Sequence, residues 1–163
     1  MPHKNTPDPR IALLANQLRM AFDRGSWHGT NLLGALRRVS AEVAVWRPQP
    51  TRHNIAELAL HAAYWKYRVC RILSDETPRT FDLPGSNFFP RDAPFTPAAW
   101  KADVELLKKW HSLLLELVEG FDPQLFPDTA KGGKFTYVEL ILGASSHDLY
   151  HTGQIQLIRK LRG

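Results

Sequence analysis

The sequence predicts an all-α protein, a four-helix bundle formed by a single domain over residues 1–163. Three observations predict it. Apolar residues recur every three or four positions through four long segments, the period of a helix with one buried face. Each of those segments opens on helix-start chemistry, and no stretch reads as a convincing strand. The second and third connections are long, which suits a bundle whose chain crosses between ends. With 163 residues and 44% hydrophobic content, the chain can close a core without disulfides.

The elements follow in order. Asp8-Pro9 supplies an N-cap and an N1 proline ahead of the stripe Ile11, Leu14, Leu18, Ala21, Phe22. Gly25-Ser26 interrupts it, and a second piece follows from about Thr30, read either as a separate element or as a continuation after a break. Pro48 and Pro50 end any short helix around Ala41 to Trp46. Asn54 with Glu57 three residues on has the capping-box pattern, so a helix should run from there to about Ser74, with Leu58, His61, Trp65, Arg68 and Ile72 as its seam. Residues 75–96 are rich in Pro, Phe and Asp without a period and should form an ordered crossover or a loop over a pocket. That length would let the second and third long helices run parallel. Thr96-Pro97 starts the third, with Leu107, Trp110, Leu114, Leu117 and Phe121 inward and Gly120 near its end. After a loop ending in Lys131-Gly132-Gly133-Lys134, Thr136 and Glu139 make a second capping box for the last helix.

Composition narrows the function classes. The net charge of +5 favours anions mildly, but Lys and Arg are scattered and no basic run alternates with aromatics, so nucleic acid is not expected. No run approaches the roughly 20 apolar residues of a membrane span. The opening MPHKNTPDPR lacks the apolar stretch of a secretion signal. The single cysteine, Cys70, excludes an internal disulfide framework, and a cytoplasmic location is the expectation.

The chemistry concentrates in histidines. His147 and His151 stand one turn apart on the last helix, a spacing that stacks two imidazoles on one face and suits a divalent metal. They fall in the line Leu140, Ala144, His147, His151, Gln154, Ile158, the apparent core-facing seam of that helix. Imidazoles in a core seam need a hydrogen bond or a metal to offset their burial. His61 occupies the seam of the second long helix and is either a third ligand or a hydrogen-bonded core histidine. Three histidines are a known catalytic zinc set, although imidazole alone does not exclude nickel, iron or copper.

Other residues admit a functional and a plainer reading. His147-Asp148-Leu149-Tyr150-His151 has the spacing of the zinc-protease HExxH helix, but Asp is one methylene shorter than Glu and no further downstream histidine follows. Asp148 is therefore read as solvent-facing or as supporting a ligand, not as a general base. Glu57 either orients the His61 ring or caps Asn54, the cap being favoured. Gln154 either holds a ligand ring or binds substrate, or is a peripheral polar residue. His111 lies at the edge of the third helix's stripe, where a role as fourth ligand is disfavoured. His28 reads as a turn residue, and His3 and His53 as terminal and loop residues. Trp46, Trp65 and Tyr150 either wall a cavity or pack in the core, and Cys70 reads as a buried structural thiol.

Two strings, Ile55-Ala56-Glu57-Leu58-Ala59-Leu60-His61 and His147-Asp148-Leu149-Tyr150-His151-Thr152-Gly153-Gln154-Ile155, carry a resemblance. With Trp27-His28-Gly29 ahead of Leu32 and Leu33, and Trp46-Arg47-Pro48 after them, the chain resembles the DinB/YfiT-like family over nearly its whole length. The resemblance implies an up-down-down-up four-helix bundle, frequent homodimerisation, and a divalent metal, zinc or nickel foremost and iron third, held by His61, His147 and His151. Relatives include S-transferases that use bacillithiol or mycothiol, a mycothiol-dependent maleylpyruvate isomerase, and proteins described as metal-dependent hydrolases. The sequence carries no added domain of the isomerase type, so that activity is not expected.

Three functions follow as expectations. The first is a metal-dependent enzyme acting on a small-molecule substrate, with a low-molecular-weight thiol or water activated at the ion. The second is a non-catalytic metal-binding or stress-related bundle. The third is a dimeric interaction module in which Phe88, Phe89 and Phe95 of the long loop contact a partner, against the alternative that they pack over the bundle end.

Overall fold

The computed structural model describes residues 8–163, so His3 lies outside the described residues. Helix α1 spans Pro9–Phe22, α2 Leu32–Leu36, α3 Ala41–Val45, α4 Ile55–Leu73, α5 Pro97–Glu119 and α6 Tyr137–Arg162, with one 3-10 turn at Pro123–Leu125. Among the described residues there is no strand, only an isolated bridge between Thr129 and Thr136. Among the described residues no helix is long and apolar enough to cross a membrane.

Local capping sets the helix starts. Side-chain oxygens of Asp8, Asn31, Ser40, Asn54, Thr96 and Thr136 each accept a backbone N–H from the first turn of the helix they precede. Thr136 and Glu139 form the complete reciprocal capping box. Asn54 caps α4, but Glu57 does not complete a box there: its carboxylate turns to Arg47, His53 and the Arg91 amide. The piece after Gly25 is not a continuation of α1. It is a separate short helix with its own cap, ending at Leu36 with Arg37 as C-cap and Arg38 just beyond at a φ of 60°.

The four long helices close a ring in which α1 packs on α6, α6 on α4, α4 on α5 and α5 on α1. Side-chain pairs give their directions. Phe22 stacks on His111 while Arg19 pairs with Glu119, so α1 and α5 are antiparallel. Glu57 reaches Asp103 through Arg91 while Tyr67 packs on Trp110, so α4 and α5 run parallel. His61 faces His147 and His151, while Val69 shares a cavity with Leu140, which makes α4 and α6 antiparallel. The connectivity is up-down-down-up, and residues 74–96 cross the length of the bundle between parallel helices.

That crossover is tied down along its course. Tyr67 donates to the Arg79 carbonyl, Trp110 to Asp82, and Arg91 to Asp103. Phe89 is buried, and Phe88 and Phe95 pack against the core rather than standing out for a partner.

Two seams differ from the sequence expectation. On α4, Trp65 and Arg68 are exposed while Lys66 is buried. On α6 the expected seam residues Ala144, His151 and Ile158 are buried, but so is a second line, Ile141, Ser145, Asp148, Thr152 and Ile155, while Leu140, His147 and Gln154 are half-buried. Asp148 is thus a core residue, not a solvent-facing one. Its Oδ2 pairs with the Lys66 ammonium, also fully buried, and this ion pair makes so polar a line compatible with a core.

Candidate metal centre

The first two donors come from one helix. His147 and His151, one turn apart on α6, bring their Nε2 atoms to 3.0 Å. The third comes from α4, where His61 Nε2 stands 3.1 Å from His147 Nε2. Among the described residues these three form the one grouping of His, Cys, Asp or Glu side chains close enough to share an ion, with donor atoms all within 4.8 Å.

Hydrogen bonds on the far side of two rings set their tautomers. His61 Nδ1–H donates to the Asn87 carbonyl at 2.9 Å, and His151 Nδ1–H donates to Gln154 Oε1 at 2.6 Å. With protons held on Nδ1, both Nε2 lone pairs point at His147. One N–H on His147 Nε2 cannot be directed at both. A cation among the three nitrogens satisfies all of them, and metal-bound imidazoles commonly carry such a bond on the other nitrogen. Nitrogens at 2.0–2.1 Å from a tetrahedral ion would lie about 3.3 Å apart, close to the two separations from His147, with all three donors within 4.8 Å of one another. The donor set therefore fits a divalent ion.

Electrostatics keep the rings neutral. Burial and the neighbouring imidazoles hold His147 down to about 3. Burial lowers His151 to about 4 against the opposing Gln154 bond. His61 is lowered by burial, with the Asn87 bond opposing. Neutral imidazole is the form that ligates.

Trp65 donates to the Asn87 side chain at 3.0 Å and stands edge-on to His61 and His147. Phe88 is sandwiched between His61 and His53, with ring centroids 4.1 and 3.7 Å away. Tyr150 is largely exposed and packs edge-on against His151. Trp46 borders a cavity of about 680 Å3 that Gln154 also lines.

Other candidates are placed elsewhere. Glu57 neither orients His61 nor joins the cluster. It receives Arg47 in a bidentate pair together with His53 and the Arg91 amide. Burial pushes its carboxyl up, but these bonds outweigh that and leave it below the ordinary range. His111 is buried in the core, stacked on Phe22 at 3.7 Å, far in role from a fourth ligand. His28 sits exposed in a turn beside Ser26. Cys70 is buried, and burial pushes its thiol up to about 12, so it is an inert core group.

Asn87 and Phe88 complete the site from the crossover loop, and sequence reasoning assigned neither of them to it. The one legible sign was the loop's length and aromatic content.

A model of the DinB superfamily matches residues 25–155. No curated protein and no solved structure matches the chain. The matched span holds all three histidines, Asn87 and Gln154, together with α4, α5 and most of α6. On the fold, the histidine cluster and this match together, the chain belongs to the DinB superfamily.

Proposed function

We propose that this protein is a divalent-metal-dependent enzyme in which His61, His147 and His151 hold the ion and a thiol or water is the nucleophile. The observation that carries this reading is the convergence of three Nε2 atoms, two with their Nδ1 protons tied to acceptors on the far side. Three protein donors leave a position for a reactant, as in catalytic rather than closed structural sites. A bound divalent ion lowers the pKa of a coordinated thiol or water, supplying thiolate or hydroxide near neutral pH. The chain's own residues do the rest. Asn87 and Gln154 fix two ring orientations, and Phe88 and Trp65 shield the cluster on the α4 side.

Thiol-dependent S-transfer is the preferred form. The cavity of about 680 Å3 beside Gln154 is lined by Arg52, which supplies positive charge for a carboxylate-bearing thiol. Zinc or nickel is the expected ion, with iron third, and the setting is cytoplasmic. A homodimer is supported by Leu142, Tyr150, Leu157 and Leu161, large apolar side chains exposed on α6.

Elemental analysis of tag-free protein, wild type beside His147→Ala, tests the reading. Near-stoichiometric metal lost in a folded variant is expected, followed by turnover of a thiol with an electrophile. A wild type without metal after dialysis against zinc and nickel would move the function to a non-catalytic bundle.

A further inference from the structure

Beside the histidine cluster, between α4 and α6, lies a cavity of about 240 Å3. Trp65, Val69, Phe135, Leu140, Gly143 and Ala144 line it, and His147 stands in the same wall. Two charged residues also border it, and both are engaged elsewhere. Glu139 is bound to Thr136 in the capping box, and Lys66 is paired with Asp148. The Trp65 indole N–H is taken by Asn87. The cavity therefore offers an occupant hydrocarbon and aromatic surface, with the His147 ring as its polar end.

Gly143 widens this cavity. A glycine inside a helix is destabilising relative to alanine, and is ordinarily explained by a positive φ or a close neighbour. Neither applies at Gly143. It is not among the positive-φ glycines, and nothing lies within 4 Å of where its Cβ would stand. It is one turn before His147, in the cavity wall. Gly143 is exposed, so the missing side chain leaves the cavity open at its wall beside the His147 ring.

We propose that this cavity is the subsite for the apolar part of the small molecule acted on at the histidine cluster, an aromatic ring or a short branched hydrocarbon. It deepens the metalloenzyme reading and rests on it for the word substrate. The size agrees: a dry cavity of about 150 Å3 accepts benzene, so this one takes a phenyl ring with one or two further carbons. Trp65 and Phe135 are 43% and 59% exposed, which leaves the subsite open to solvent.

The first test needs no metal. In metal-free protein, benzyl alcohol should shift the Trp65 indole resonance, assigned with Trp65→Phe, and Gly143→Leu should remove that shift by filling the cavity. The leucine has room and improves helix propensity, so the variant is expected to fold. The second test loads cobalt(II) and compares benzyl mercaptan with 2-mercaptoethanol through the thiolate-to-cobalt absorption band. Benzyl mercaptan should bind about tenfold tighter or more in the wild type, from burial of the ring. Gly143→Leu should erase that preference while cobalt content stays unchanged. No response to benzyl alcohol at Trp65, or equal affinity for the two thiols, would overturn the subsite. Failure to take up cobalt would overturn the metal reading alone, because the benzyl alcohol arm stands without it.

Discussion

The clearest conflict at the level of single residues is His111. Its ring is buried against Phe22, and neither nitrogen has a protein hydrogen-bond partner among the described residues. Burial, with Lys66 and Arg19 nearby, holds it down to about 2. Because the folded value lies below the unfolded one near 6.5, the unfolded chain binds the extra proton as pH falls. Stability is therefore complete above about pH 6.5 and drops by up to about 1.4 kcal/mol per pH unit below it. His111→Leu should raise stability by about 1 kcal/mol at pH 7 and remove its own share of the acid limb, leaving that of the three clustered histidines, as read from urea unfolding at a series of pH values. Gln154 carries a different expectation. Losing the acceptor on His151 Nδ1 in Gln154→Ala should weaken metal affinity about 10–100-fold without unfolding, measurable by competition with a chelator. The His147/His151 pair was legible because helix geometry alone stacks i and i+4, and Gln154 followed one turn on. Asn87 was not legible, since its backbone carbonyl meets a ring 26 residues away through a loop without a period.

The helices themselves were readable at their starts and less so on their faces. Asp8, Asn54, Thr96 and Thr136 cap the four long helices as the sequence indicates, because a cap is settled within four residues. The faces were misphased where polar residues are buried. Asp148 reads as solvent-facing or ligand-supporting until Lys66, 82 positions away, is placed opposite it, and Ser145 and Thr152, outside the expected seam, are buried on the same line. Glu57 likewise looks like half a capping box until Arg47 closes on it. Helix α6 also holds a second interior glycine, Gly153, exposed and with nothing within 4 Å of a Cβ position. Gly153→Ala should add up to about 1 kcal/mol of stability with metal content unchanged, read as a higher Tm with an unaltered elemental analysis. A drop in metal content there would mean that the helix next to His151 needs its present flexibility.

Across the whole molecule, α4 and α6 are joined by the buried Lys66–Asp148 pair and by the three histidines a turn or two away. Burial raises the Asp148 carboxyl while Lys66 opposes that shift, and Oδ1 has no partner among the described residues. Removing one partner strands a charge in the core, so Lys66→Met alone should cost about 3–5 kcal/mol. Lys66→Met combined with Asp148→Leu should recover most of that loss, as measured by denaturant unfolding of the two variants. A double variant as unstable as the single one would show that packing against Phe22, over whose ring Lys66 Nζ lies at 5.2 Å, rather than the charge, sets the cost. The spacing of the histidine donors along the chain has a further consequence, for the order of events in folding. His147 and His151 are a local pair that α6 can present as soon as it forms, but His61 joins them across 86 residues of sequence. Tight capture of an ion at the proposed site must therefore wait until α4 and α6, the second and last of the long helices, have docked, which would make ion uptake a late event in assembly and ion release a report of α4 and α6 parting.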